Sequence, residues 1–284
     1  AATYNGTMYA FPATADNGYF LYYDSTRITP EQAQNWDTLL DAAQAAGSKV
    51  GMTLASGWYL ASFFYGAGFT TGRNEDGTTS IDWNGTSPSG VTGVQVVQAM
   101  QKIASHPAFL AVTDGDDSNQ VNASNVCAIV SGTWLAPDTG IAFGDGYAAT
   151  KMPAFDAGGT QVQTGSVAGC KLIGVNAYSK NSGWAVLLAE FLTNEESQTI
   201  RFEQREAGPS NINAQSSDAV KANVAQAALG EQSGFAVIQK AGGKYWDPVK
   251  SFGEQIAQGT IATDDASVQA ALDDLVAGVT APLG

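Results

Sequence analysis

Short apolar runs alternate with amphipathic helical segments along most of this chain, and that alternation limits its fold more than any other feature. Tyr19–Tyr23, Val50–Leu54, Val126–Val130, Tyr147–Pro153, Thr160–Gln163 and Leu172–Val175 read as strands, the first of them as a buried one. Trp36–Ala46, Leu60–Tyr65, Val91–Ser105, Ser182–Leu192, Ser217–Leu229, Pro248–Gln258 and Ala266–Ala277 read as helices. Strands interleaved with helices define the α/β class. Local signals agree. Asn5-Gly6 is a hairpin dipeptide, and a minor hairpin is expected around Asp76-Gly77. Thr29-Pro30 reads as a helix start and Gly47 as a helix stop. Thr193-Asn-Glu-Glu196 reads as a capping box opening a helix that closes at Gly208-Pro209. A length of 284 residues favours two lobes or one large domain.

Charge removes whole classes of function. Thirteen Lys and Arg stand against 27 Asp and Glu, a formal charge of −14. Nucleic acids and anionic membranes need a basic surface, so neither is an expected partner, and a neutral ligand is. No apolar run approaches the ~20 residues of a membrane-spanning helix. No signal peptide or lipid-attachment cysteine opens the chain, which begins Ala1-Ala2, so a removed leader, anchor or larger N-terminal region is expected. The single histidine, His106, reads as the end of a helix, with no nucleophile elbow near it. One His and two distant Cys make no zinc cluster, and no cofactor is expected. Asp114–Asn119 resembles the start of a calcium loop, but its twelfth position holds Asn125 where a bidentate Glu is needed. Cys127 and Cys170 lie in separate apolar stretches. Strands paired nearby would join them in a disulfide; otherwise they are two small buried hydrophobes.

Six tryptophans require an account. Trp36 and Trp184 sit among Leu on amphipathic helix faces and read as core, as does Trp83 beside Ile81. Trp58, Trp134 and Trp246 differ, each standing at a break beside small or polar residues: Ser56-Gly57-Trp58, Gly132-Thr133-Trp134 and Gly242-Gly243-Lys244-Tyr245-Trp246. An indole at a loop mouth offers a flat face on which the C–H face of a pyranose can stack. No carboxylate pair stands out among the acids, and no nucleotide or hydrolase fingerprint is present, so nothing argues for an enzyme.

The order Tyr4-Asn-Gly…Tyr9-Ala-Phe-Pro12, Ala15-Asp-Asn-Gly-Tyr-Phe-Leu-Tyr-Tyr23, Ser131-Gly-Thr-Trp134 and Tyr245-Trp-Asp-Pro…Phe252-Gly253 resembles the solute-binding proteins of ABC importers, of the maltose/maltodextrin type. Gly144–Lys151, Gly174–Lys180 and Gly208–Asn211 extend the resemblance towards Gram-positive gut-bacterial members. It implies a two-lobed periplasmic-binding-protein-like fold. The Tyr-Asn-Gly…Pro motif lies well inside that family's chains and at residue 4 here, which implies a complete C-terminal lobe and a partial N-terminal lobe. The implied division is 1–16 as hinge and crossing segment, 17–163 and 245–284 as the C-terminal lobe, and 164–244 as the N-terminal remnant.

The same resemblance implies roles. Trp58, Trp134 and Trp246 would stack on sugar, Asp16 would bond sugar hydroxyls, and Lys250 would stand where maltose binders often carry Arg. Lys keeps the charge and loses the planar fork. The implied function is binding of a neutral oligosaccharide, α-glucan or maltodextrin first, for delivery to ABC permease subunits from an extracellular, cell-surface position, lipid-anchored in the full-length form. A surface carbohydrate-binding or adhesion module without transport is the first alternative, and a glycoside hydrolase the second. The exposed face of the partial lobe is expected to drive association with itself or a partner.

Overall fold

The computed structural model describes residues 2–283; Ala1 and Gly284, the outer ends of the expected first and last segments, lie outside the described residues. Tyr19–Asp24 is the strand about which the architecture is organised. It pairs antiparallel with Ala128–Gly132 on one side and Tyr147–Thr150 on the other. Val50–Met52 joins Ala128–Gly132 in parallel, and Phe109–Ala111 closes that edge, giving a mixed five-stranded sheet. All six residues of Tyr19–Asp24 are buried. Alternation along the strand sends Tyr19, Leu21 and Tyr23 into one core and Phe20 and Tyr22 into another. Buried on both faces, such a strand reads as an unbroken apolar run.

The larger core is closed by helices whose apolar spacing is visible in sequence. Gly93–Ala104 buries Val96, Val97, Met100 and Ile103, and a reciprocal Thr92–Gln95 capping box fixes its start. Trp36–Ala45 buries Trp36, Leu39 and Leu40, and Gly47 follows its end at φ +65°. Trp83 lies fully buried, its ring stacked on Phe64 at 4.1 Å. Trp246–Gln258 and Asp265–Thr280 complete that layer. On the opposite sheet face, Val224–Ser233 places Ala225 and Ala228 in the smaller core.

A second, smaller arrangement holds the strand Ala10–Thr14, paired antiparallel with Lys171–Gly174. The helix Ser182–Thr193 packs on Ala10–Thr14 and meets Glu195–Arg205. Here the sequence expectation fails. Trp184 is not core but 76% exposed, and Leu187, Leu188 and Phe191 are exposed with it. Among the residues of that helix only Ala189 is buried. A helix apolar all round needs cover on more than one side. The described residues supply it on one.

Other differences are local. Thr29-Pro30 opens no helix, only a single 3-10 turn over Gln32–Gln34. The helix after residue 193 is capped by Asn194, whose side chain accepts from Ser197 N, while the Thr193 hydroxyl bonds back to Ala189 O. That helix ends at Arg205 rather than Gly208, because Glu206 turns left-handed at φ +52°. The expected 217–229 helix breaks at Asn223, which ends one segment and caps the next by accepting from Gln226 N. The strand at Tyr147 stops at Thr150. Both cysteines are free thiols. Cys127 leads into the five-stranded sheet and Cys170 into the separate two-stranded pair, so different sheets hold them apart.

Candidate functional site

Two buried phenols hold the turn that carries Trp58. The Tyr245 hydroxyl donates to Gly57 O at 2.7 Å, and the Tyr19 hydroxyl donates to Trp58 O at 2.8 Å. Gln239 adds a second bond to Gly57 O at 3.0 Å. Burial pushes both phenols well above their ordinary 10.0, so they remain donors at neutral pH. Position 57 must be glycine: a Cβ there would lie 2.8 Å from the Tyr245 ring and 3.2 Å from Trp246 Cε3. Consecutive residues 57 and 58 thus touch two different tryptophans.

The Trp58 ring lies 5.8 Å from that of Trp134, tilted by 33°. Trp134 closes the strand Ala128–Gly132 and folds back over its last residue. A Cβ on Gly132 would fall on the Trp134 ring, so the Gly-Thr-Trp order is what admits this turn. Trp134 is 46% exposed and Trp246 49%, while Trp58 is half-buried. The Trp58 indole N–H is buried and meets no protein acceptor. The structure therefore gathers the three tryptophans singled out in sequence around one turn. Lys250 stands one helical turn after Trp246, exposed, with its ammonium 4.0 Å from Glu254.

Trp134 also lines a cleft of about 570 Å³ that contains Asp16. Asp16 is 4% exposed. Its Oδ2 accepts from Gly208 N at 3.0 Å, while Oδ1 is buried and accepts no hydrogen bond from a protein group. Lys171, Arg201, Arg205 and Glu206 line the same cleft, so three cations face two acids there. Arg201 is committed to the backbone, donating to Ala13 O at 3.1 Å and Leu192 O at 2.8 Å. Lys171 is 68% exposed and reaches within 4.0 Å of Asp16 Oδ1. Sequence reading missed Lys171, Arg205 and the two supporting phenols. Glycines immediately before Trp58 and two residues before Trp134 were the available signal for tight aromatic packing.

The other candidate chemistry dissolves. His106 Nε2 lies 3.4 Å from Asp41 Oδ1 on the surface, and its Nδ1 accepts from Ala108 N, which fits a helix end. Asp116 accepts from Asn119 and Gln120, and Asp117 from Ser131, so the acids of that loop serve local bonds. Among the described residues no cluster of His, Cys, Asp and Glu is placed to hold a metal, and no helix is long and apolar enough to cross a membrane.

Comparison with known proteins supplies the family. A galactooligosaccharide-binding protein of Bacillus subtilis (strain 168) is 28% identical over 280 residues, which is 94% of this chain and 64% of that relative's length. A solved structure with acarbose superposes at a TM-score of 0.83 with 25% identity, covering 98% of this chain and 72% of the other. A maltodextrin binding protein from L. casei BL23, solved without ligand, gives 0.81 with 22% identity, covering 99% and 73%. The fold is that of the two-lobed solute-binding proteins, of which this chain spans a part. Residues 1–228 match the family described as bacterial extracellular solute-binding protein, a family of binding proteins rather than enzymes. This chain belongs to the bacterial extracellular solute-binding protein family.

Proposed function

We propose that this chain binds a neutral oligosaccharide, an α-glucan of the maltodextrin type first, as the substrate-binding component of an ABC sugar importer. The observation that carries the reading is the aromatic wall of Trp58, Trp134 and Trp246 beside a cleft holding Asp16. Flat indole faces suit pyranose rings, and a buried carboxylate suits a hydroxyl donor. In this reading Lys250 extends the polar rim beyond Trp246. No bond is made or broken; ligand is held between lobes and passed to the permease. The lobes are residues 17–163 with 245–284, and 164–244, joined through 1–16, with Val224–Ser233 of the third segment lying against the larger sheet. The extracellular description of the family supports a cell-surface position.

The test is titration with maltose through maltoheptaose, followed by tryptophan fluorescence and calorimetry, with cellohexaose as control. Saturable binding of the α-linked series, lost in Trp134→Ala and Trp246→Ala, is the expected outcome. A folded protein that gives no heat and no spectral change with any of them overturns the α-glucan assignment. The Bacillus subtilis relative favours a second reading, a galactooligosaccharide in the same cleft, so β-1,4-galactotriose belongs in the panel.

A further inference from the structure

Asp16 and Lys171 form a separated pair whose geometry has room for a third group. Their strands are neighbours: Lys171 stands opposite Thr14 in the register of the two-stranded sheet, two residues before Asp16. Oδ1 of Asp16 accepts nothing from the protein, and the nearest ammonium, Lys171 Nζ, is 4.0 Å away. That distance permits ionic attraction but exceeds a hydrogen bond. Both side chains line the same cleft as Trp134.

The two partners differ in freedom. Asp16 is fixed by Gly208 N and by burial, whereas Lys171 is 68% exposed on a flexible four-carbon stem. Oδ1 is closed to solvent here; of the cleft cations Arg201 is held by two carbonyls, Lys171 and Arg205 are exposed, and Lys171 is the one within 4.0 Å of Oδ1.

We propose that Lys171 is a specificity-determining residue, and that one ligand hydroxyl enters between it and Asp16, donating to Oδ1 and accepting from Nζ. This inference rests on the oligosaccharide reading above. A hydroxyl is the group that satisfies both sides, being donor and acceptor at once. A carboxylate-bearing ligand would be repelled by Asp16, and an amine by Lys171. The pair therefore selects a neutral polyol and reads one of its hydroxyls.

The test compares wild type, Lys171→Met and Lys171→Arg by calorimetry with maltotriose and β-1,4-galactotriose, carrying forward whichever binds together with its monodeoxy analogues. Lys171→Met is expected to weaken the parent sugar about tenfold, the loss of one charge-assisted hydrogen bond, and Lys171→Arg to recover most of that. With the one analogue that lacks the bridging hydroxyl, wild type and Lys171→Met are expected to bind alike. Melting temperature is expected to stay the same, because the side chain is mostly in water. If wild type binds sugar and Lys171→Met binds every ligand equally well, the inference is overturned and the oligosaccharide reading stands. A Lys171→Met loss that is the same for all analogues also overturns it. If wild type binds neither trisaccharide, both readings fall together.

Discussion

The Trp58 and Trp134 rings stand 5.8 Å apart at 33°, from two turns that the five-stranded sheet brings side by side. Each ring is backed by protein on one side, and Trp134 keeps nearly half its surface in water. Trp134→Ala is expected to weaken oligosaccharide binding at least tenfold, since truncating a Trp anchor at a binding surface costs about 2 kcal/mol or more. Because the ring is 46% exposed, urea melts are expected to show only a small loss of stability.

Gly132→Ala tests whether the aromatic wall depends on backbone clearance. The new methyl would occupy the place of the Trp134 ring. The ring is expected to swing out, with a shifted fluorescence maximum and weaker sugar binding in a protein that still folds. A variant with unchanged spectrum and affinity would show that Trp134 needs no such clearance.

Tyr245→Phe removes the donor to Gly57 O while leaving the ring in place. The carbonyl keeps Gln239 as partner, so the cost is expected near 1 kcal/mol, at the lower end for a buried hydrogen bond. Denaturant midpoints would measure it. Affinity is expected to fall as well, because the turn it steadies presents Trp58.

Alkaline pH is expected to destabilise the fold through buried phenols. Tyr19, Tyr22 and Tyr245 are all raised above 10.0, chiefly by burial. A raised value means that the folded state holds its proton where the unfolded chain releases it. The contribution is therefore full below about pH 10 and is lost as pH climbs beyond it. Stability followed against pH should fall above that point, as the buried phenols ionise together with unfolding.

The helix Ser182–Thr193 gives a prediction about association. Trp184, Leu187, Leu188 and Phe191 are exposed on it, and Leu172 adds to the apolar surface of this smaller arrangement. Light scattering is expected to show concentration-dependent association through this face. Leu188→Gln together with Trp184→Gln should reduce it, with stability changed by no more than about 0.5 kcal/mol, as for other surface sites. A chain that stays monomeric at high concentration would count against the proposal.

Much of this protein was determined by sequence alone. The run Tyr19–Tyr23 reads as a buried strand and the spacing in Val91–Ser105 as a helix with one buried face, and both form, as Tyr19–Asp24 and Gly93–Ala104. The ordered aromatic motifs pointed to the family and singled out Trp58, Trp134 and Trp246. These features are local, set by backbone period and by side chains within a few residues of one another. Tertiary structure decided the rest. Periodicity marks which residues of Ser182–Thr193 are apolar, but not whether anything covers them, and so Trp184 passed for core. Register between strands far apart in sequence set Lys171 near Asp16, and packing of Tyr245 and Trp246 against Gly57 gathered the aromatic wall. Such meetings depend on how the sheets pair and the helices close over them, which no window along the chain contains.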